Sequence, residues 1–170
     1  QNIVGFKVII AGIILGGAIG MVLAVKIQMT DIPQLVALFN GFGGGASVFV
    51  AGAAFIEVSV KTKNPELHLT VATAVSGLVG AVTFWGSFIA FGKLQGLKFA
   101  NDVRFSGQQL VNALCALSAV GAALLVIYNP SSVIFYWLLV IVGSVLGVLT
   151  VIPIGGADMP VVIALLNSYS

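Results

Sequence analysis

Two decapeptides in this chain repeat one pattern. Asp31-Ile-Pro-Gln-Leu-Val-Ala-Leu-Phe-Asn40 and Asp158-Met-Pro-Val-Val-Ile-Ala-Leu-Leu-Asn167 each set an acid, a proline two residues on and an asparagine nine residues on at the head of an apolar run. An acid at a helix mouth can carry charge to a partner, and an amide deeper in can order water or bond a neighbouring helix. Proline fits the first helical turn, where its missing N–H is not needed, and an Asp before it can cap free amides and complement the helix dipole. Each decapeptide therefore predicts a helix start. At the helical rise, each Asn lies roughly 13 Å beyond its Asp, near the middle of a hydrocarbon layer about 30 Å thick.

The elements that must position these residues follow from composition. The 170 residues are 59% hydrophobic and only 7% charged, with a formal charge of +2, and the mean hydropathy is +1.17. A soluble globule carries about 25% charged residues, so this composition excludes one and implies an integral membrane protein. Apolar runs close to the roughly 20 residues that a spanning helix needs lie at Val8 to Val25, Leu35 to Ala54, Val71 to Phe91, Leu110 to Tyr128 and Val133 to Ile152. A sixth begins at Pro160 and stops with the chain. The expected fold is all-α, a polytopic transmembrane helical bundle with five full spans and a truncated sixth, in one domain over residues 1–170. A first residue that is not Met and the short last helix suggest a piece of a longer chain. The single Cys115 excludes an internal disulfide and suits plain packing.

Lys26, Lys93, Lys98 and Arg104 fall in the breaks after the first and third runs, whereas Lys61 and Lys63 fall on the opposite side. The former side is expected to be cytoplasmic. Both decapeptides follow odd-numbered helices, so both Asp residues belong to that side and both helices run the same way, as in a parallel repeat. Small-residue stripes at Gly12, Gly16 and Gly20, at Gly41 and Gly45, and at Gly143 and Gly147 predict close helix contacts.

The third run carries Thr73, Ser76, Gly80, Thr83 and Ser87 at steps of three and four, one face over about 21 Å. Two readings stay open: hydroxyls bonded back to their own carbonyls, or a wetted face. Gly43, Gly44 and Gly45, just after Asn40, leave backbone available to water or a neighbour. Asn40 and Asn167 could hold water or glue helices together, and Asp158 could be a functional acid or a helix cap like Asp31. No carboxylate, imidazole or cation lies at mid-depth in the five whole spans: Lys7 and Lys26 bracket the first, His68 precedes the third, and Glu57 lies about 36 Å along its helix from Pro33, at the far interface. A proton crossing here would need water ordered by amides and hydroxyls, or a titratable group from another chain.

No soluble catalytic motif is present: there is no GxGxxG after a strand, no GxxxxGK[ST], no HExxH, and the one His lacks companions for a metal or a triad. Gly92 and Gly96 form a loop pair outside any βαβ context. The basic stretch from Lys93 to Arg104 fits anionic headgroups or a cytoplasmic partner better than nucleic acid.

The run Ile154-Gly-Gly-Ala-Asp-Met-Pro-Val-Val-Ile-Ala-Leu-Leu-Asn-Ser-Tyr-Ser170, with Gly80-Ala-Val-Thr-Phe-Trp-Gly-Ser-Phe-Ile-Ala-Phe-Gly-Lys-Leu-Gln-Gly96 and Gly16-Gly-Ala-Ile-Gly20, resembles the membrane domain of the beta subunit of proton-translocating NAD(P) transhydrogenase. The resemblance covers essentially the whole chain. It implies an enzyme whose membrane part couples proton movement to hydride transfer from NADH to NADP+, with NAD and NADP bound by soluble domains outside this chain and none bound by the chain itself. It implies alpha-subunit membrane helices and the soluble nucleotide-binding domains as partners, a dimer of the whole assembly, and a prokaryotic inner membrane, or the mitochondrial inner membrane in a eukaryote. By the same resemblance Asp158 sits at the cytoplasmic mouth facing the NADP(H) domain, and Asn167 lines the proton path. Asn40, Thr83 and Ser87 are candidates for that path from their own positions. Family members often carry a protonatable His where Asn40 stands, so here that role would move to water, another residue or another chain. The alternative class is a small-solute or ion transporter with a midplane polar site.

Overall fold

The computed structural model describes residues 5–61 and 66–169, and the side chains of residues 60 and 61 are not described. The basic markers Lys61 and Lys63 and the final Ser170 thus fall outside the described residues or side chains. Among the described residues six α-helices follow in order: α1 (Phe6–Lys26), α2 (Ile32–Lys61), α3 (Leu67–Leu94), α4 (Gln108–Tyr128), α5 (Val133–Val151) and α6 (Met159–Tyr169). Five are long and apolar enough to cross a membrane, and α6 has 11 residues. The chain is a multi-pass membrane protein, and the predicted spans match these helices closely. It divides into two compact units, Gln1–Ile32 and Pro33–Ser170. In the first, α1 buries none of its residues.

In the second unit, α3 is the central helix. Gly44 and Gly80 bring α2 and α3 backbone to backbone: a Cβ at either would lie 2.7 Å from the other's carbonyl oxygen or a neighbouring amide. Gly147 of α5 does the same, because a Cβ there would lie 2.6 Å from the Val82 carbonyl oxygen. Lipid tails are as apolar as leucine, so helices in a membrane gain by close backbone approach rather than by burying oily side chains. The stripes read on the second and fifth helices thus serve as expected, and both close on α3.

Tyr136 locks the far half of this unit. It is fully buried against Gly52 of α2 and Gly77 of α3, where a Cβ would meet its ring at 2.9 and 2.7 Å. Its ring stacks on Phe55 at 5.7 Å, and its hydroxyl donates to the Val48 carbonyl at 2.5 Å. Ala51, Ala74, Ala122, Val126 and Leu139 complete that core. The opposite half is built from Ala37, Ile89, Ala90, Val151, Met159, Ile163 and Leu166. These contacts set α5 parallel to α3, and α2, α4 and α6 antiparallel to it. The two repeat-bearing helices therefore run in the same direction. Outward faces are apolar, with Leu114, Leu117, Ile134 and Ile141 all more than half exposed, as lipid requires.

Both repeat helices start alike, with one refinement of the expected cap. Met29–Asp31 and Gly156–Asp158 each form a short 3-10 turn just before the helix. In these turns the Asp31 N–H donates to Gln28 at 2.9 Å and the Asp158 N–H to Gly155 at 3.1 Å. A backbone turn closes each start, with proline as the second helical residue, where no N–H is required. Gly96, at φ +66°, ends α3 in a Schellman motif: the Leu97 N–H bonds Gly92 at 2.8 Å and the Gly96 N–H bonds Lys93 at 3.1 Å. Only Gly96 is in the turn; Gly92, read as its loop partner, lies inside the last turns of α3. Gly92 faces Phe99 and Ala100, which a Cβ would meet at 2.8–2.9 Å.

The Gly147 contact is with backbone and cannot move aside. Gly147→Ala in the full subunit is expected to lower stability by about 1–3 kcal/mol through overpacking, seen as a lower thermal midpoint in detergent. Gly121→Ala, in a helical position where a Cβ meets nothing within 4 Å, should be neutral or stabilise by up to about 1 kcal/mol. Equal loss at both sites would refute the close-approach account.

Candidate functional site

The polar stripe of α3 turns inward. Thr73, Thr83 and Ser87 are buried, as is Gly80, while Ser76 is exposed. Its partner is α2. The Asn40 side-chain amide donates to the Ser87 hydroxyl at 2.9 Å, and both residues are buried. One helical turn deeper, Thr83 lies against Gly44, whose Cβ would sit 3.0 Å from the Thr83 Cβ. Asn40 and Ser87 therefore form a cross-helix pair, and Thr83 sits at the tightest contact of the same two helices. The hydroxyl of Ser87 serves a neighbouring helix rather than its own carbonyls.

Asn167 comes to the same place from α6. A recess of about 370 Å³ is lined by Val36, Phe39, Asn40, Gly43, Ser47 and Asn167, so the two repeat asparagines share one cavity. Their burial differs: Asn40 is buried, whereas Asn167 is exposed on the recess wall. The Asn40 amide faces the interior, while Asn167 lies at the recess's open side. The cause is helix roll. α2 buries Ala37 and Asn40, but α6 buries Met159, Ile163 and Leu166, which match Ile32, Val36 and Phe39 in the repeat.

A second recess, of about 360 Å³, continues along α2 past Ala46, Ser47, Val50, Ala51 and Ala54, with Ala72, Thr73 and Ser76 opposite. Ser47 borders both recesses. From Val36 to Ala54 the lined length of α2 is about 27 Å at the helical rise, close to a hydrocarbon thickness. Sequence reasoning did not single out Ser47; its place seven residues beyond Asn40, two turns along the same face, is the signal that could have found it. The recess lined by Gly45, Val48, Trp85, Trp137 and Ser144 is overwhelmingly apolar and offers little to chemistry.

The donors and acceptors here are amides, hydroxyls and glycine backbone. They can orient water but cannot take up a proton near neutral pH. Among the described residues no cluster of His, Cys, Asp and Glu could hold a metal ion.

At the end of the unit where α2 and α6 begin, Gln34 donates to the Leu94 carbonyl at 3.4 Å and accepts from Gln95. Asp158 lies there, exposed beside the buried Met159. Lys93 and Arg104, expected to face headgroups or a partner, instead bond carbonyls of this chain: Lys93 reaches Ile152 at 2.8 Å and Arg104 reaches Pro153 at 3.0 Å. Ile152 caps the end of α5 and Pro153 follows it, at a helix terminus whose dipole favours cations.

Helices packed by glycine around one central helix, with a polar seam open along one side, define a polytopic membrane protein. A family model for the NAD(P) transhydrogenase beta subunit matches residues 1–170. A relative named NAD(P) transhydrogenase subunit beta, from Rhodospirillum rubrum, is 42% identical over 173 residues, covering 95% of this chain and 36% of its own length. A second sequence of that name, from a particular strain of the species, matches to the same extent. The chain belongs to the NAD(P) transhydrogenase beta subunit family, and it spans about a third of the length of these curated relatives.

The geometry separates the two asparagines. Ser87→Ala removes one acceptor of a buried amide and is expected to cost about 0.5–2 kcal/mol, the range for interhelical bonds in membranes. Asn167→Ala, at an exposed position, should change stability by less than about 0.5 kcal/mol. Thermal unfolding of the two variants in detergent checks this, and a large loss at Asn167 would place it among the structural bonds.

Proposed function

We propose that this chain is the proton-translocating membrane domain of an NAD(P) transhydrogenase, coupling proton movement across the membrane to hydride transfer between NADH and NADP+. The observation that carries the reading is the continuous seam along α2, where Asn40, Ser47 and Asn167 border one recess and Thr73 and Ser76 the next. Membership of the beta subunit family supplies the reaction. We place NAD and NADP binding in soluble domains beyond this chain, and the rest of the channel wall in alpha-subunit helices of a dimeric assembly. The membrane is the prokaryotic inner membrane, or the mitochondrial inner membrane in a eukaryote.

The seam passes protons through water. Polar groups at the membrane centre are costly to leave unpartnered and hold water where a cavity admits it. Asn167 and Ser47, at the walls of the recess, orient that water; Asn40, fixed by Ser87, presents its carbonyl oxygen in a set direction. Thr83 holds the α2–α3 contact closed behind them. Asp158 lies at the cytoplasmic mouth, where its charge meets the mobile NADP(H) domain. A small-solute transporter would use the same recesses as a binding site, but the family membership favours the proton reading.

Asn167→Leu is the direct test. In the full assembly reconstituted into vesicles, with an internal pH dye, it is expected to reduce proton flux and coupled NADPH formation by about 10–100-fold while leaving insertion and yield intact, within the reach of coupling free energies of 1–3 kcal/mol. Wild-type flux in a stable variant would overturn the water-path role.

Asp158→Asn keeps the size and polarity of the side chain and removes its charge. It is expected to lower NADP(H)-linked proton translocation by about tenfold or more, the scale of one coupling interaction. Asp31→Asn, at the matching position of the repeat, should cost less than about twofold, because a surface charge at a helix start contributes under 1 kcal/mol. Equal damage at the two sites would mean that the helix start, and not a coupling acid, explains the repeat.

A further inference from the structure

Lys93 is a cation in the last turn of α3, yet its side chain is only 3% exposed. The ammonium pairs with the Asp102 carboxylate, itself 49% exposed, and donates to the Ile152 carbonyl at 2.8 Å. Arg104 Nε donates to the next carbonyl, that of Pro153, at 3.0 Å. Those carbonyls open the segment Ile152-Pro-Ile-Gly-Gly-Ala-Asp158. The same segment touches the clamp a second time, for a Cβ at Gly155 would lie 3.8 Å from Asp102 Oδ2, and one at Gly156 would lie 4.0 Å from the Lys93 carbonyl oxygen. A cavity of about 300 Å³ lined by Lys93, Asn101, Asp102 and Gly156 lies between the two segments.

We propose that Lys93 is a positioning residue for Asp158: through Asp102 and Ile152 it fixes the α5–α6 turn to the end of α3, so that the acid is presented at one place and height. This rests on the reading of Asp158 as the coupling acid. Three physical facts support it. A buried ammonium holds its partners firmly, because leaving it without them would strand a desolvated charge. The α5 terminus offers carbonyls that a cation satisfies and a dipole that a cation complements. The turn itself contains two adjacent glycines, which by themselves would leave the backbone before Asp158 loosely defined. A cross-link from α3 supplies the missing constraint and joins the helix that carries Thr83 and Ser87 to the acid at the mouth.

The test uses the full assembly in vesicles, with Lys93→Met, Lys93→Arg, Asp158→Asn and the Lys93→Met/Asp158→Asn double variant. Lys93→Met is expected to lower proton flux per NADPH formed by about tenfold, with the KM for NADP+ within about twofold. Lys93→Arg, which keeps the charge and the donors, should recover at least about half of the wild-type flux. If Lys93 acts through Asp158, the double variant is no worse than Asp158→Asn alone; multiplied losses would overturn the proposal. A second readout is independent of activity. With Cys115→Ser and Ala157→Cys, labelling of position 157 by a membrane-impermeant maleimide should speed up several-fold when Lys93→Met is added, and unchanged labelling would also overturn it. Should Lys93→Met fail to insert, Asp102→Asn, at a half-exposed carboxylate, carries the same two measurements. Full flux in Asp158→Asn would sink the coupling role of the acid, while labelling at 157 would still decide whether the clamp holds the turn.

Discussion

The constraint on which the second unit depends is that α3 must be approached by backbone on more than one side. In lipid, apolar side chains gain little by leaving one oily environment for another, so association rests on dispersion at short range and on polar pairs. Gly44 against Gly80, Gly147 against the Val82 carbonyl, and Gly52 and Gly77 around Tyr136 supply that short range. Each glycine is a place where a side chain is missing so that another helix can be present. The hydroxyls of α3 then fall where partner helices come closest, and Ser87 meets Asn40 at 2.9 Å because Gly41 and Gly44 let α2 in.

Close approach also shapes the open side. Where small residues face one another without a large neighbour, as along Gly43, Ala46, Ser47, Ala51, Ala54 and Ala72, space remains instead of contact. The residues that permit tight packing on one face of α2 thus leave recesses on the next face, at a depth where Asn167 and Ser47 supply polar atoms. Close packing and open recesses are two consequences of one composition.

Much of this was legible in the sequence. The five spans could be read because hydrophobicity sustained for about 20 residues has few other meanings, and the parallel run of α2 and α6 followed from counting spans between the decapeptides. That Thr73, Thr83 and Ser87 are buried could not be read from periodicity alone, since the period gives a face but not what lies against it. Tyr136 was passed over because a tyrosine in an apolar run carries no spacing signal; its role comes from Val48, Gly52 and Gly77 on other helices. Lys93 and Arg104 were read as surface charge, and only the fold brings the α5 terminus within their reach.

The repeat shows how far sequence identity and structural role can part. Asp31 and Asp158 close the same kind of 3-10 turn, prolines occupy the same second position, and the helices run the same way. Yet a different roll sets Asn40 inside, bonded to Ser87, and Asn167 on the open wall of the recess that both share. The burial pattern follows from neighbours. α2 meets α3 through Gly41 and Gly44, which draw its Asn40 face inward, whereas α6 has no glycine and meets α3 through Ile163 and Leu166. A small-residue face is pulled into contact and carries its asparagine with it; a bulky apolar face is buried for its own sake and leaves its asparagine at the edge. One pattern therefore yields a fixed amide and an accessible one side by side, and the difference lies in the residues between the conserved spacings rather than in the spacings themselves.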